Sequence, residues 1–296
     1  APLFMTGDVD VKEGKVLYTG EEYTSRPQRK ASVYLYDVKA KTTECIYDKK
    51  EYSIHEAAFF GEAIVLAAAT TTRHGNNENP YLYKLDPVSN EVTLWAPYEY
   101  SMGSSVGSDC RYGGGCGFAA DEKALYFLTT REDSSHLYKM GVCGCIQPVI
   151  ELTGSVDHFA LADGKILFAG MLGQKLQEIY EYDPETKTTT QISDFNEAAL
   201  TNKYVAVPQR LSVESEGTTI NGWVLLPKDY DETKRYPAIL DIHGGPKTVY
   251  GEVFYHEMQV WANEGYFVFF CNPIGSDGRD NEFADLRGKY GTCDYN

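Results

Sequence analysis

A repeated strand motif with a central tyrosine constrains the first two thirds of this chain more than any other feature. The motif occurs four times, and its tyrosines, Tyr34, Tyr83, Tyr138 and Tyr180, are 49, 55 and 42 residues apart. Asp-Pro follows the second and fourth copies, which predicts a turn and a β-hairpin there. An apolar segment precedes every copy, so each unit is expected to hold three or four short strands.

The period of this repeat predicts a β-propeller. Units of about 40 to 50 residues with up to four strands are typical of propeller blades, in which each small sheet buries its faces against its neighbours. Residues 1–204 are therefore expected to form a partial β-propeller of about four blades. A β-sandwich with fortuitously similar hairpins stays open as the alternative. An incomplete propeller would leave strand edges unpaired, so we expect self-association or a partner chain that covers them.

A different pattern begins near residue 205. Residues 217–227 resemble a turn followed by a strand, and residues 236–242 form a compact apolar segment typical of a strand that is buried on both faces of a sheet. A helical pattern over residues 255–264 ends at Gly265, and residues 266–271 form another apolar strand. This order predicts a βαβ unit, so residues 205–296 are expected to begin an α/β domain with a parallel or mixed sheet.

A glycine turn follows the first of these strands, in the sequence His243-Gly244-Gly245-Pro246. In α/β-hydrolases the loop after an early strand supplies a backbone N–H to the oxyanion hole, and glycines let that amide approach a substrate oxygen. Gly244 and Gly245 are therefore the candidate catalytic residues, through their backbone amides. The His243 side chain is expected to brace the loop by hydrogen bonding. Because any tight strand-to-helix turn can use two glycines, a purely structural turn stays open.

The segment from 236 to 296 resembles the prolyl oligopeptidase family of serine peptidases, and within it the acylaminoacyl-peptidase-like branch. Four motifs in the family's order carry the resemblance: 243–246 (His-Gly-Gly-Pro), 259–266 (Gln-Val-Trp-Ala-Asn-Glu-Gly-Tyr), 272–276 (Asn-Pro-Ile-Gly-Ser) and 283–285 (Phe-Ala-Asp). The resemblance is moderate over residues 205–235, and in the repeat region it is limited to the general pattern of repeated strands.

The resemblance implies an N-terminal β-propeller that restricts access to a C-terminal α/β-hydrolase domain, which cleaves short peptides with a Ser, Asp and His triad. One departure is Ile274, where relatives usually carry arginine, so any charge pairing which that arginine makes is missing here or is supplied elsewhere. Gly244 and Gly245 match the family's oxyanion loop.

The nucleophile motif of this fold, Gly-x-Ser-x-Gly, follows the oxyanion loop in other hydrolases, and residues 246–296 do not contain it. The match at residues 103–107 (Gly-Ser-Ser-Val-Gly) lies in the repeat region, ahead of that loop. The remaining histidines are expected at surfaces or turns and not as catalytic bases: His55, His74, His136, His158 and His256. We therefore expect the N-terminal portion of an α/β-hydrolase domain, in a peptidase fragment that is cut at both ends and inactive alone. A non-catalytic propeller binding module and an esterase are the alternatives.

The amino-acid composition limits the classes of partner that the chain can bind. Lys and Arg total 27 against 43 Asp and Glu, and the net charge of −16 repels nucleic acid and anionic membrane surfaces. The longest apolar runs are too short to cross a bilayer. Seven cysteines without a paired spacing favour a reducing compartment, so we expect a cytoplasmic protein.

Four of the cysteines, Cys110, Cys116, Cys143 and Cys145, lie near the third repeat unit. Their spacings, Cys-x5-Cys and Cys-x-Cys, differ from the Cys-x2-Cys pairs that are usual in zinc sites. The interpretation as small residues in glycine-rich turns is therefore favoured over a zinc site. The sequence therefore predicts no metal and no cofactor.

Overall fold

The computed structural model describes residues 3–23, 30–215, 217–245, 247–289 and 291. Pro246 of the glycine turn and the seventh cysteine, Cys293, lie outside this range. The strands of the first part are β1 (Leu3–Lys12), β2 (Lys15–Tyr23), β3 (Ser32–Asp37), β4 (Thr42–Tyr47), β5 (Ser53–Phe60), β6 (Ala63–Ala69), β7 (Tyr81–Leu85), β8 (Val92–Ala96), β9 (Phe118–Ala120), β10 (Ala124–Arg131), β11 (Ser134–Gly141), β12 (Ile146–Ile150), β13 (Gly154–Ala162), β14 (Lys165–Leu172), β15 (Glu178–Asp183) and β16 (Thr188–Gln191).

These strands form four consecutive antiparallel meanders, β1–β4, β5–β8, β9–β12 and β13–β16, in which each strand pairs with the next along the chain. A single parallel bridge between Ser135 and Ser155 joins the third and fourth meanders. The four repeated tyrosines all lie on the third strand of their meander. The repeat in the sequence is therefore a repeat of one folding unit.

Aromatic pairs across neighbouring strands explain why the tyrosines recur. In three meanders the tyrosine of the third strand lies opposite an aromatic residue of the second strand, and such cross-strand pairs stabilise a sheet beyond the area they bury. The pairs and their ring-centroid distances are Tyr18 with Tyr34 at 5.1 Å, Phe127 with Tyr138 at 6.4 Å, and Phe168 with Tyr180 at 5.1 Å.

The aspartates at the ends of the third strands fix the turns that follow. The Asp86 carboxylate accepts hydrogen bonds from the backbone N–H groups of Val88 and Ser89, at 2.8 and 3.0 Å. In the same way, the Asp183 carboxylate accepts hydrogen bonds from the backbone N–H groups of Glu185 and Thr186. These side chains replace backbone partners in the turn, which is why Asp-Pro predicted the hairpins correctly.

The apolar core of this part lies between successive meanders and not within any one of them. One cluster packs Leu17 and Val33 of the first meander against Ile64 of the second. Equivalent clusters join the second meander to the third and the third to the fourth. β6 is buried at every position, since both of its faces meet a neighbouring sheet. Each meander therefore depends on its neighbours for stability.

A pair of carboxyl groups lies where the first two meanders meet. Asp8 on β1 and Glu56 on β5 share a hydrogen bond. Burial, followed by the charge of Asp8, raises the pKa of Glu56 to about 8, and burial also raises the pKa of Asp8. A group that binds its proton more tightly when folded stabilises the fold below its unfolded pKa, and this contribution is lost as the pH rises through the folded value.

Glu56→Gln is therefore expected to stabilise the chain in alkaline solution. The amide keeps the shape of the protonated carboxyl and cannot ionise, so at pH 9 the variant should unfold with a free energy higher by about 2 kcal/mol, whereas below pH 5 the two proteins should differ little. Urea unfolding at both pH values measures this difference. Glu44→Gln, at an exposed position on β4, is the matched control. Equal stability of parent and Glu56→Gln at pH 9 would show that folding does not raise the pKa of Glu56.

The second part of the chain folds as a mixed α/β sheet. Its elements are α1 (Glu197–Leu200), β17 (Gln209–Ser215), β18 (Thr218–Leu225), β19 (Ala238–Asp241), α2 (His256–Asn263), β20 (Phe267–Cys271) and α3 (Asn281–Ala284). The sheet order is β17-β18-β20-β19, with β19 parallel to β20 and the other pairs antiparallel. Trp223 is fully buried in one apolar cluster with Met258 of α2 and Val268 of β20. The predicted βαβ unit is confirmed, and Gly265, at φ 94°, follows the helix as expected.

The expectation that residues 236–242 are buried on both faces is wrong for this structure. β19 is the edge strand of its sheet, and the side chains of Leu240 and Ile242 are 62% and 71% exposed. On β20, Val268 and Phe270 are buried but Phe269 is 36% exposed. The described residues cover one face of the sheet with α2, and the opposite face has no such cover.

Loops of the first part hold the second part in place. Val106 forms a parallel bridge with Val249, and both are buried in one apolar cluster. The Asp109 carboxylate accepts hydrogen bonds from the N–H groups of His256 and Glu257, at 2.7 and 2.8 Å, and so caps α2. No helix among the described residues is long and apolar enough to cross a membrane.

Candidate active site

The glycine turn lies at the carboxyl end of a parallel strand pair. Because β19 and β20 run side by side in the same direction, the loops that follow them meet at one edge of the sheet. The described residues of these loops are 242–245 and 247–248 after β19, and 272–277 after β20. In open α/β sheets, ligands bind in the crevice outside the carboxyl ends of the strands. This position is compatible with a substrate-binding role for the turn.

The side chain of His243 bridges the two loops. Its Nε2 is 3.1 Å from Oγ of Ser276, and its Nδ1 is 3.1 Å from the carbonyl oxygen of Gly244. The imidazole also packs edge-on against Tyr250, with ring centroids 5.0 Å apart. A neutral imidazole has a single N–H, so it donates to one of the two oxygens at a time. In either tautomer the ring fixes the loop, which is the bracing role expected from the sequence.

Burial explains the charge state of this histidine. Desolvation lowers the pKa of His243 below its usual value, so the ring is neutral at pH 7. Ser276 is only 1% exposed, and its hydroxyl lies 2.7 Å from the carbonyl oxygen of Pro273, closer than the imidazole. When the imidazole N–H donates to Oγ of Ser276, the Ser276 hydroxyl therefore donates its own proton to the carbonyl of Pro273. A serine so enclosed holds the loop together and does not face a substrate in this conformation.

The two glycines of the turn differ in how much space surrounds them. Gly245 has a φ of 132°, and a Cβ built there would lie 3.1 Å from Oγ1 of Thr248 and 3.2 Å from the backbone nitrogen of Lys247. Gly244 has no described atom within 4 Å of such a Cβ. Both glycines are exposed. The turn at Gly245 thus requires glycine, whereas Gly244 would accept a small side chain.

Further hydrogen bonds join the same two loops. The Asn272 side chain accepts from the N–H of Tyr250 at 2.7 Å and donates to the carbonyl of Tyr250 at 2.9 Å. The N–H of Asp277 donates to the carbonyl of Thr248 at 3.2 Å. These hydrogen bonds to backbone groups, together with the His243 side chain, hold the two sides of the crevice against each other.

Lys247 connects the glycine turn to the second meander. Its ammonium lies 3.5 Å from the Asp277 carboxylate and donates to the carbonyl of Asn77, at 3.3 Å, and to Oδ1 of Asn79. Burial lowers the pKa of Lys247, although the Asp277 charge opposes that shift. The backbone N–H of Asn79 in turn donates to Oδ1 of Asn281 at 2.6 Å. The turn is thus anchored to both parts of the chain.

The other residues named from the sequence lie elsewhere. Ile274 lines a shallow apolar hollow on the uncovered sheet face, together with Leu240 and Phe269. Among the described residues, no group of three or more His, Cys, Asp or Glu side chains could hold a metal ion. The four cysteines near the third meander are free thiols.

The remaining histidines have contacts outside the two loops that form the crevice. His74 lies 3.4 Å from the Asp285 carboxylate, and the His136 ring accepts from the N–H of Leu152. His158 lies 3.2 Å from the carbonyl of Tyr112. His256 begins α2, and His55 lies on β5. The expectation that they act as surface or turn residues and not as bases stays a prediction.

The contact between His243 and Ser276 and the position of Lys247 do not follow from any local sequence motif. The contact between His243 and Ser276 could be inferred only from topology, because His243 and Ser276 each follow one of the two strands that the βαβ pattern predicts to be parallel. No local signal marked Lys247, because its partners Asn77 and Asn79 are far away in the sequence.

Comparison with known proteins relates the chain to peptidases. A segment of 179 residues, 59% of the chain, is 30% identical to an uncharacterized peptidase, YuxL, of Bacillus subtilis and covers 27% of that protein. The dipeptidyl-peptidase 5 of Porphyromonas gingivalis is 26% identical over 179 residues, with 26% of its length covered. No protein-family profile matches the chain.

Solved structures share the fold over nearly the whole chain. An acylaminoacyl peptidase of Pyrococcus horikoshii superposes with a TM-score of 0.78 at 21% identity, covering 98% of this chain and 43% of that one. A puromycin hydrolase gives a TM-score of 0.70 at 16% identity, with 98% and 45% covered. The chain thus spans about a quarter of the curated relatives and less than half of these structures. In sequence and fold, over that share of their length, the chain is a relative of the peptidases of the prolyl oligopeptidase family.

Proposed function

We propose that this chain is part of a serine peptidase that hydrolyses short peptides. In this proposal the backbone amides of Gly244 and Gly245 belong to the oxyanion hole, and the Ser, Asp and His triad lies outside residues 1–296. The observation that carries the proposal is the exposed turn at Gly245, whose positive φ and crowded Cβ position leave a bare backbone at the carboxyl ends of β19 and β20. The peptidase relatives support the same reaction class.

The four meanders are, in this proposal, about four blades of a partial β-propeller, and the α/β-hydrolase domain begins near residue 205. Consecutive meanders with an apolar core between each neighbouring pair support the blades, because a sandwich would place its core between only two sheets. A propeller in front of the crevice would act as a size filter and favour short peptides. This part of the proposal rests on analogy between folds.

The proposal extends to association and to location. Exposed apolar side chains on the uncovered sheet face, such as Leu240 and Phe269, favour a partner: the rest of the hydrolase domain in the whole protein, or a second copy for the isolated chain. Six free cysteines among the described residues favour a reducing compartment such as the cytoplasm.

Hydrolysis by the full-length protein tests the proposal. We expect turnover of short peptides with blocked or free N-termini, complete inhibition by a serine-reactive fluorophosphonate, and little cleavage of a folded protein. The relative rates on blocked and free peptides separate acylaminoacyl-peptidase from dipeptidyl-peptidase specificity. Turnover of nitrophenyl esters without turnover of any peptide would favour an esterase, and no turnover of either would favour a binding module.

A further inference from the structure

Two exposed thiols flank a glycine in the hairpin turn between β11 and β12. The turn contains Cys143-Gly144-Cys145 and is closed by backbone hydrogen bonds, from Gly144 N–H to the carbonyl of Gly141 at 2.9 Å and from Gly141 N–H to the carbonyl of Cys145 at 3.1 Å. Both cysteines are exposed and free. The backbone bonds hold the two residues at opposite ends of one bend.

Trp95 of the second meander fixes this turn against the body of the protein. Its indole N–H donates to the carbonyl of Val142 at 3.3 Å, and its ring stacks on Phe60. Gly144 has a φ of 81°, and a Cβ there would lie 2.8 Å from the carbonyl oxygen of Trp95. The residue between the two cysteines must therefore be glycine, and the bend that brings the thiols together is built in.

The two thiols interact with each other. A hydrogen bond from the Cys145 thiol, helped by backbone N–H groups of the turn, lowers the pKa of Cys143, whereas the same contact raises the pKa of Cys145. Burial raises the pKa of the other four described cysteines: Cys45, Cys110, Cys116 and Cys271. Cys143 is thus the described thiol best prepared to react as a thiolate.

We propose that Cys143 and Cys145 form a thiol–disulfide exchange site for small disulfides of the glutathione type. The Cys143 thiolate attacks one sulfur of the disulfide, forms a mixed disulfide and releases the first thiolate. The Cys145 thiolate then attacks Sγ of Cys143, forms the Cys143–Cys145 disulfide and releases the second thiolate. The protein gives up two protons and two electrons, and the small disulfide becomes two thiols.

The geometry allows this bond and makes it reversible. Cα atoms two residues apart are separated by at most about 7 Å, and a bend such as that at Gly144, with a φ of 81°, shortens this separation toward the values of natural disulfides. A ring closed over a single residue is strained, and strained, exposed disulfides are reduced readily. The pair is therefore expected to cycle between the two states as the ratio of small disulfide to thiol changes.

Mass spectrometry of this chain after treatment with oxidised glutathione tests the proposal. We expect the loss of two hydrogens and a Cys143–Cys145 link within one proteolytic peptide, both reversed by reduced glutathione. Cys143→Ser and Cys145→Ser should each abolish the link and instead retain one glutathione adduct, formed more rapidly at Cys143 in Cys145→Ser than at Cys145 in Cys143→Ser. Cys110→Ser is the matched control and should leave the link unchanged.

Two results would overturn the proposal. Stable glutathione adducts on both cysteines of the parent chain would show that the turn cannot close a disulfide. No reaction at either cysteine, under conditions in which unfolded chain is fully modified, would show that the thiols are not available. Circular dichroism of each serine variant establishes that it is folded, as exposed turn positions should permit.

Discussion

Gly245→Val in the full-length protein is expected to lower kcat for short peptides by about 100-fold or more, with a much smaller change in KM. Loss of one oxyanion donor typically costs 10²–10³ in kcat, because the donor stabilises charge that develops only in the transition state. A valine Cβ would crowd Thr248 and the backbone nitrogen of Lys247, and Gly245 has a φ that L side chains rarely adopt. The turn must move, and its amides move with it.

Gly113→Ala, at an exposed position outside the two loops of the crevice, is the matched control for this substitution. No described atom lies within 4 Å of the added Cβ, so the chain keeps its path and kcat should remain close to that of the parent. Steady-state kinetics on one blocked peptide measure both variants. If Gly245→Val raises only KM and leaves kcat unchanged, the turn binds substrate without stabilising the oxyanion.

Lys247→Met is expected to destabilise the chain by about 3–5 kcal/mol. The ammonium is largely enclosed between the glycine turn and the second meander, and its removal leaves the Asp277 carboxylate, itself 4% exposed, without its counterion. Breaking a buried pair from one side costs more than the pair contributes, because the remaining charge stays desolvated. Urea unfolding at pH 7 measures the loss.

The double variant Lys247→Met with Asp277→Asn separates charge from packing. When both charges are removed, the desolvation cost of the stranded carboxylate disappears, and most of the lost stability should return. Lys234→Met, which removes an exposed ion pair with Asp231, is the control and should change the unfolding free energy by less than about 1 kcal/mol. Equal losses in the single and double variants would mean that the hydrogen bonds of the ammonium to Asn77 and Asn79, and not its pairing with Asp277, hold the loops together.

Local chemistry made much of the fold predictable. Asp86 and Asp183 cap their turns through their own side chains, and tyrosines such as Tyr138 pair with an aromatic residue on the next strand, so short windows of sequence contain the whole signal. The first strand of each meander was harder to predict. β1 and β5 carry bulges and polar residues, among them Asp8 and Glu56, which weaken the alternation that marks a strand.

The candidate site was predicted in part for the same reason. The glycine turn is a local motif, and the structure places it after a parallel strand as the pattern indicates. The support around it depends on residues that are distant in sequence: His243 meets Ser276, and Lys247 meets Asn79. These contacts follow from the way the two parts of the chain pack, which no local pattern contains. The exposure of β19 likewise depends on which residues cover the sheet.

The proposed division of the active site is tested most directly by labelling with a fluorophosphonate probe, on the full-length protein and on this 296-residue chain in parallel. A triad outside residues 1–296 requires stoichiometric labelling of the full-length protein, at a serine that this chain lacks, and no labelling of the chain. Ser276→Ala, in both proteins, controls for the buried serine beside His243. Stoichiometric labelling of the isolated chain, at Ser276 or any other of its serines, would show that the nucleophile lies within these residues and would contradict the proposal.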